Sequence, residues 1–130
     1  VIKIYGNNHK TPDKTCIRDY IHINDLCSAI IKSIKNKTDK RFNIINLGSG
    51  DGYSILQLIK TLEIILRKNI KYTFIKKRFG DKSKLVCSIK KAKKILQWQP
   101  RQSDLKKIFN DEIKWQSYLK KVNIKKNNVY

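Results

Sequence analysis

A strand pattern that leads through a glycine-rich turn into an amphipathic helix constrains the fold of this chain most. Residues 42–47, FNIINL, form an almost continuous apolar run that is typical of a strand buried between two helical layers. The turn GSGDG at 48–52 follows, and Ser54 can cap a helix. The apolar residues of that helix form one stripe: Ile55, Leu58, Ile59, Leu62, Ile65 and Leu66.

Similar patterns lie on both sides of this unit. Strands are predicted at 1–5, 16–23 and 71–75, and helices are predicted after the caps Asn24, Ser88 and Ser103, the last with Trp115 facing inward. This alternation predicts an α/β or mixed α+β fold. No repeat or low-complexity linker divides the chain. We therefore expect one unit over 1–119 and a basic, frayed tail over 120–130.

The glycine turn has two interpretations. A glycine-rich turn between a strand and a helix is typical of dinucleotide binding, whose pattern is G-x-G-x-x-G with an acidic residue about 20 positions further on. Here the spacing is G-x-G-x-G, and the acidic residue in that neighbourhood, Glu63, falls inside the following helix. The pattern favours a tight turn over a cofactor site.

The composition is strongly basic, with a formal charge of +20 over 130 residues. Such a charge can indicate nucleic-acid binding. However, the excess is mostly lysine spread along the whole chain, and the aromatic residues are not interleaved with a basic stripe. We predict solvated surface lysines and no nucleic-acid partner.

Other features of the composition narrow the class further. There is no apolar run of 18 residues and no secretory signal pattern, so we expect a cytoplasmic protein without a membrane partner. The three cysteines, Cys16, Cys27 and Cys87, include no C-x-x-C pair, and only His9 and His22 could join them as ligands. Buried thiols, without a disulfide or a metal site, are therefore expected.

Two arginines stand out as candidate ligand-binding residues. Arg18 is followed directly by Asp19, and Arg78 is followed three residues later by Asp81. A guanidinium group grips phosphate oxygens bidentately, so two arginines from distant segments could clamp a diphosphate. Alternatively, Arg18 pairs with Asp19 or Asp25 and only fixes a loop.

The neighbouring polar residues also leave alternatives open. Asp81 can accept hydrogen bonds from a sugar hydroxyl or merely shape a turn after Gly80. His22 alternates with Ile21 and Ile23, which favours a hydrogen-bonded packing histidine. The chain contains no G-x-S-x-G, H-E-x-x-H or P-loop motif and no Y-x-x-x-K pair on a predicted helix, and we predict no catalytic residue in it.

Several motifs together carry a family resemblance. The run TPDKTCIRDYIHINDL at 11–26 resembles the segment TPDGTCxRDYIHVxDL of the UDP-glucose 4-epimerases, which belong to the extended short-chain dehydrogenase/reductase family. Further segments agree in order: IYG at 4–6, FNIINLGSG at 42–50, GYS at 52–54, RFGD at 78–81 and KAKKILQWQP at 91–100. The resemblance covers about positions 1–118.

The resemblance implies which part of such an enzyme this is. It implies the C-terminal, substrate-binding portion of an NAD-dependent Rossmann-type epimerase, with the strand at 42–47 completing the edge of the absent dinucleotide domain. NAD and the catalytic Ser and Tyr-x-x-x-Lys would belong to the missing N-terminal half. That half, UDP-glucose or UDP-galactose and a second copy in a homodimer are the implied partners, and the chain alone would be inactive.

The resemblance also implies the site. Arg18 and Arg78 would bind the two sides of the UDP diphosphate, and Asp81 would bind the uridine ribose. The other implied substrate-binding residues are Lys3, Ile4 and Tyr5 beside the uracil, Phe79 and Gly80 in the RFGD segment, and Leu85 where some relatives have Tyr. Lys14 departs from the pattern, because the family usually has Gly there and a positive φ would disfavour Lys.

Two rival functions remain at this point. One is an epimerase or dehydratase acting on another nucleotide sugar, although Tyr20-Ile21-His22 favours a UDP-hexose over a UDP-pentose enzyme. The other is a non-catalytic basic module that binds RNA or another polyanion.

Overall fold

The computed structural model describes residues 1–36 and 42–122. Within these ranges, short strands alternate with helices, as the pattern predicts. The strands are β1 (Ile2–Tyr5), β2 (Ile17–Asp19), β3 (Gly52–Ser54), β4 (Tyr72–Ile75) and β5 (Lys84–Leu85). The helices are α1 (Ile23–Lys35), α2 (Ile55–Leu66), α3 (Lys90–Leu96) and α4 (Leu105–Lys121). The fold is mixed α/β.

The strands form two small sheets. β1 pairs with β4 in parallel, with Tyr5 opposite Ile75. β2 lies between β3, to which it is antiparallel, and β5, to which it is parallel. Arg18 therefore occupies the middle of the central strand, opposite Tyr53 on one side and Leu85 on the other. The predicted strand at 16–23 is shorter than expected because the chain enters α1 at Ile23.

The hydrophobic core lies between α1, α3 and the segment after α3. Ala29, Ala92, Leu96 and Trp98 are buried there, and Ile45 and Leu47 pack against them. The Trp98 indole N–H donates to the Asp25 carbonyl at 3.1 Å and to the Ser28 hydroxyl at 2.8 Å. Because a buried indole needs such partners, these bonds fix the segment after α3 on α1.

The helix caps test the sequence prediction directly. Ser54 caps α2 with a complete capping box, in which its hydroxyl accepts from the Gln57 N–H, as predicted. The other three predicted caps are wrong. His22 caps α1 in place of Asn24, Asp104 caps α4 in place of Ser103, and α3 follows Ile89 without a side-chain cap. These residues are displaced by one or two positions from the predicted Ser or Asn.

The predicted strand at 42–47 is not a strand in the structure. Its side chains alternate between half-buried and exposed, and Phe42 and Ile44 are 77% and 68% exposed. No described strand pairs with this segment, so it forms no ladder within the described residues. Its role as a buried strand at the edge of an absent sheet stays a prediction.

Two further predictions concern the C-terminal helix. Trp115, predicted to face inward, is about half exposed and stacks on Tyr118 with ring centroids 5.6 Å apart. α4 continues to Lys121, so the predicted boundary at 119 lies inside the helix, and residues 123–130 of the predicted tail lie outside the described part. Within the described residues, no helix is both long and apolar enough to cross a bilayer.

Candidate functional site

The loop between β4 and β5 carries the first half of the candidate site. The guanidinium carbon of Arg78 lies 3.7 Å from the centroid of the Tyr5 ring, at the end of β1. This cation–π contact is attractive because the ring face carries negative charge. Arg78 also lowers the pKa of Tyr5, first through a hydrogen bond and second through its charge. The contact places the Arg78 side chain over Tyr5 at the exposed end of the parallel strand pair.

The same loop contains a turn from Arg78 to Asp81, which links the site to β2. The Asp81 N–H donates to the Arg78 carbonyl at 3.3 Å, and Gly80 has a φ of +75°. A side chain at position 80 would meet no atom within 4 Å, so the turn needs glycine for its backbone angle and not for space. The Asp81 carboxylate forms an ion pair with Arg18. Arg78 is thus the first residue of a four-residue turn, and Arg18 binds the last residue of the same turn, Asp81.

Arg18 pairs with neither of the two acids that the sequence suggested as partners. Asp19 and Asp25 were the alternatives, but Arg18 uses Nη2 to bind Asp81 and donates from Nη1 to its neighbour's carbonyl, that of Ile17, at 2.8 Å. The side chains of Arg18 and Asp81 keep 24% and 21% of their surface exposed. The pair is therefore accessible to a ligand.

A cleft of about 190 Å³ adjoins Arg18. It is lined by Arg18, Asp19, Ile21, Leu47, Gly48, Leu85 and Cys87. Leu85 thus lies beside Arg18 and is largely exposed, and its contact with a nucleotide stays a prediction. Sites for drug-sized ligands usually enclose about 300–1,000 Å³. This cleft can therefore hold only part of a nucleotide sugar.

Asp19 forms the inner wall of that cleft and is fully engaged by the protein. One carboxylate oxygen accepts from the Ser49 N–H at 2.7 Å and its hydroxyl at 2.5 Å, and the other accepts from the Cys87 N–H at 3.3 Å. Burial raises the pKa of Asp19, but these hydrogen bonds outweigh it and leave the pKa below its usual value. Asp19 joins two loops and is not available to a ligand.

His22 and Asp25, further along the same motif, also bind within the protein. Buried His22 accepts from the Asn24 N–H at 3.0 Å through Nδ1, and its Nε2 lies 3.1 Å from Asp111. The prediction of a hydrogen-bonded packing histidine is confirmed. The Asp25 carboxylate accepts hydrogen bonds from the turn that precedes α4, namely from the Arg101 and Gln102 N–H groups and the Ser103 hydroxyl, at 2.9, 2.8 and 2.6 Å.

The remaining predicted residues are less closely connected to the Arg18–Asp81 pair. Lys3 and Phe79 are exposed, whereas the Ile4 side chain is buried, so only the Ile4 backbone can face a ligand. Within the described residues, no hydrogen bond joins these three to Arg18 or Asp81. Their placement beside a bound uracil stays a prediction.

The turn before β2 explains the departure at Lys14. Lys14 has a φ of 63°, in the left-handed region that glycine adopts freely. Asp13 holds this turn: it accepts from the Thr15 N–H and hydroxyl at 2.9 and 2.7 Å, and from the Ser54 hydroxyl. The turn therefore keeps its shape with lysine, at the expense of backbone strain.

The cysteines differ from the prediction of buried thiols. Cys27 is exposed, and Cys16 and Cys87 are half-buried. Burial and the Asp19 carboxylate both raise the pKa of the Cys87 thiol, with burial the larger cause. Sequence reasoning missed the contact of Cys87 with Asp19, because the two residues are far apart in the chain.

Comparison with known proteins gives a consistent result. No protein-family model matches the chain. A UDP-glucose 4-epimerase from Yersinia enterocolitica is 40% identical over 113 residues, and one from Corynebacterium glutamicum is 37% identical over 108. These matches cover 87% and 83% of this chain but 33% of each relative. The chain is related to the UDP-glucose 4-epimerases. It spans about a third of the length of the relatives it matches.

Solved epimerase structures agree with this relationship. A UDP-glucose 4-epimerase from Bifidobacterium longum, in complex with NAD+ and UDP, has a TM-score of 0.82 at 32% identity and matches 89% of this chain and 34% of its own. One from Stenotrophomonas maltophila, with NAD and formylated UDP-arabinopyranose, has a TM-score of 0.84 at 31% identity, over 93% and 36%. The predicted epimerase resemblance and the mixed α/β fold are confirmed over this third.

Proposed function

We propose that the chain is the UDP-sugar-binding, C-terminal part of a UDP-glucose 4-epimerase, and that it binds UDP-glucose or UDP-galactose through Arg18, Arg78 and Asp81. The observation that carries this proposal is the turn 78–81, which connects two distant arginines. Similarity to epimerases that were crystallised with UDP or a UDP sugar supports it.

The charges of the turn suit a diphosphate. In the structure, one arm of Arg18 is held by a single carboxylate, that of Asp81. A diphosphate carries more negative charge and more acceptor oxygens than a carboxylate, so it can replace Asp81 at the guanidinium. Asp81, once released, is free to accept a hydrogen bond from a ribose hydroxyl. Ligand binding would thus exchange one ion pair for two ligand contacts.

Tyr5 has a matching role at Arg78. With its flat face on the Tyr5 ring, the guanidinium can still direct its N–H groups sideways to phosphate oxygens. The stacking also limits the rotamers of Arg78, which lowers the entropy cost of ordering it on binding. Lys3, Ile4 and Tyr5 would border the uracil, and Phe79, Gly80 and Leu85 would line the approach to it.

The chain contributes to positioning and not to the hydride step. Its glycine turn does not fit a dinucleotide, since a Cβ on Gly48 would lie 2.4 Å from both the Asp19 carboxylate and the Cys87 sulfur. The space a phosphate would need is therefore filled by protein atoms, one of them anionic. NAD and the oxidation at the sugar carbon C4 are assigned to a portion of the enzyme outside this chain.

Exposed apolar residues support the proposal that this chain packs against a further portion of the enzyme. On α1, Ile30, Ile31 and Ile34 are exposed, as are Phe42 and Ile44 in the next segment. Large exposed apolar residues that cluster on one helix in this way are typical of an interface. Since the matches cover only a third of each relative, we propose that the dinucleotide portion covers this surface and pairs with residues 42–47. The predicted homodimer and cytoplasmic location stay predictions.

Calorimetry on the 130-residue chain tests the proposal. UDP and UDP-glucose should bind saturably at one site, and Arg78→Ala should weaken UDP at least about tenfold, because it removes charge-assisted hydrogen bonds. Arg101→Ala is the matched control, since it removes the same charge from an exposed side chain outside the turn and should leave affinity unchanged.

A mixed-sequence RNA at two salt concentrations tests the basic-module alternative. RNA binding that falls steeply with salt, together with no heat from UDP, would contradict the nucleotide-sugar proposal. Equal loss of UDP affinity in Arg78→Ala and Arg101→Ala would also contradict it, because only the general charge would then matter. The choice among UDP sugars needs the rest of the enzyme, since another neighbour is a UDP-glucuronic acid 4-epimerase from Bacillus cereus, at 26% identity.

A further inference from the structure

A second cluster of chemically active side chains lies behind the candidate ligand site. It consists of His9, Cys16 and Asp81, each of which offers one ligand atom within 4.8 Å of the other two. The three come from the loop after β1, the residue before β2 and the loop between β4 and β5. Asp81 is 65 positions from Cys16, so no local spacing pattern in the sequence indicates a metal site.

The state of the histidine points to a missing ligand. His9 is 3% exposed, and its Nε2 lies 3.2 Å from the Tyr5 carbonyl. The carbonyl can only accept, so the hydrogen is on Nε2 and Nδ1 carries a lone pair. Nδ1 is buried and has no hydrogen-bond partner. A buried polar atom without a partner is unfavourable, so a ligand at Nδ1 would stabilise the structure.

This arrangement has the form of a metal-binding histidine. Such a histidine usually donates its other ring N–H to a backbone carbonyl or a carboxylate, which fixes the tautomer and the ring orientation. Here the Tyr5 carbonyl fulfils that role, and Nδ1 is the free ligand atom.

The donor set selects the kind of metal. One imidazole nitrogen, one thiolate and one carboxylate oxygen suit Zn²⁺, which binds them at about 2.0–2.3 Å in tetrahedral geometry. In that geometry the ligand atoms would be about 3.3–3.6 Å apart, so small side-chain rotations would close the cluster. The thiolate and the carboxylate together balance the charge of the ion. This balance is needed because a chain of net charge +20 would otherwise repel a cation.

We propose that His9, Cys16 and Asp81 form a zinc site with three protein ligands and a fourth position open to water. One oxygen of Asp81 stays with Arg18, and the other binds the metal. The site goes beyond the proposed function and does not rest on it, since metal binding needs no nucleotide. Because Asp81 also belongs to the proposed nucleotide site, a bound metal would oppose the release of Asp81 from Arg18, and the two sites are linked in this way.

Cobalt titration of the 130-residue chain tests the site, because Co²⁺ bound to a thiolate gives a charge-transfer band in the near ultraviolet. One equivalent of Co²⁺ should produce this band, and Zn²⁺ should abolish it by displacement. Cys16→Ser should remove the band. Cys27→Ser is the matched control, since it changes an exposed thiol on α1 and should leave the band intact.

A second variant keeps the test decisive if Cys16→Ser folds poorly. His9→Gln retains all three thiols and should weaken Zn²⁺ binding at least about tenfold by calorimetry. No charge-transfer band in the wild-type chain would overturn the proposal, as would a band that survives Cys16→Ser or is lost in Cys27→Ser. These titrations contain no UDP, so their failure is distinct from a failure to bind nucleotide.

Discussion

Two charged positions of the motif at 11–26, Asp25 and Arg18, use their charges in opposite ways. Asp25 is 3% exposed, and its carboxylate accepts three hydrogen bonds from the turn before α4. Arg18 keeps 24% of its side chain exposed and binds one carboxylate. A charge whose partners are all in the protein maintains the fold, whereas an accessible charge with one exchangeable partner can bind a ligand.

Replacing Asp25 should give the largest loss of stability. Asp25→Ala leaves three donors of the turn 101–103 without an acceptor, two of them backbone N–H groups. We expect the free energy of unfolding to fall by about 3 kcal/mol or more, measured by urea unfolding. Asp51→Ala, at an exposed position in the glycine turn, should change it by less than about 0.5 kcal/mol. Equal losses would show that the buried Asp25 carboxylate contributes no more to stability than an exposed one.

Acid should weaken the fold through the same internal carboxylates. The pKa values of Asp13, Asp19 and Asp25 are lowered, because their hydrogen bonds outweigh the burial that raises them. Their pKa values are thus lower in the folded than in the unfolded state. Their stabilisation is present above the unfolded pKa near 4 and is lost as pH falls through the folded values.

Unfolding by urea at a series of pH values checks this expectation. Stability should be level above about pH 5 and should decline below it. Asp25→Asn should make the decline shallower, since one of the three groups no longer titrates. A decline of unchanged slope in that variant would show that Asp25 does not contribute to acid sensitivity.

UDP affinity should depend on the planar shape of the Arg18 guanidinium as well as on its charge. Arg18→Lys keeps the positive charge but loses the planar pair of N–H donors, so UDP affinity should fall about tenfold while the fold remains stable. Arg101→Lys, the same substitution at an exposed arginine, should have no effect on calorimetric affinity. Unchanged UDP binding in Arg18→Lys would mean that Arg18 acts only as a point charge.

The turn before β2 should gain stability from glycine. Lys14 is held at a φ of 63°, and an L-residue pays about 1–2 kcal/mol for this conformation. Part of that gain is offset because glycine is more flexible in the unfolded chain. Lys14→Gly should therefore raise the free energy of unfolding by about 1 kcal/mol. Lys82→Gly, at an exposed loop position without positive φ, should not stabilise the protein.

The smallest effect is expected at the exposed C-terminal half of α1. Lys32 donates from Nζ to the Gln97 carbonyl at 2.5 Å, but both groups lie at the surface. Water can replace the lysine, so Lys32→Ala should change the free energy of unfolding by no more than about 0.5 kcal/mol. A loss comparable to that of Asp25→Ala would show that exposure is a poor guide to which charges maintain the fold.

The sequence predicted those parts of the fold that have a local signal. The stripe of α2 and its Ser54 cap were found because helical spacing and a capping box occur within a few residues. β5 was missed, and β3 was taken for part of a turn, since two or three residues are too few to show an alternation. Residues 42–47 have a strand-like composition, but composition cannot supply a ladder partner.

The candidate site was less predictable than the fold. Two separate motifs contain Arg18 and Asp81, but nothing in the spacing of these residues indicates that they pair across 63 positions. Asp19 has the same charge as Asp81 and lies next to Arg18, yet it binds Ser49 and Cys87. Only the arrangement of β3 and β5 on the two sides of β2 decides between the two carboxylates, and this arrangement depends on long-range packing.

The bare backbone at Gly48 determines how closely three segments can approach. A single methyl group there would collide with the side chains of Asp19 and Cys87, both of which line the cleft beside Arg18. Any substitution would therefore push β2 and the segment after β5 apart and change the width of the cleft. The missing side chain at position 48 thus sets the distance between β2 and the segment after β5. The geometry around Arg18 depends on this uncharged residue as well as on the charged ones.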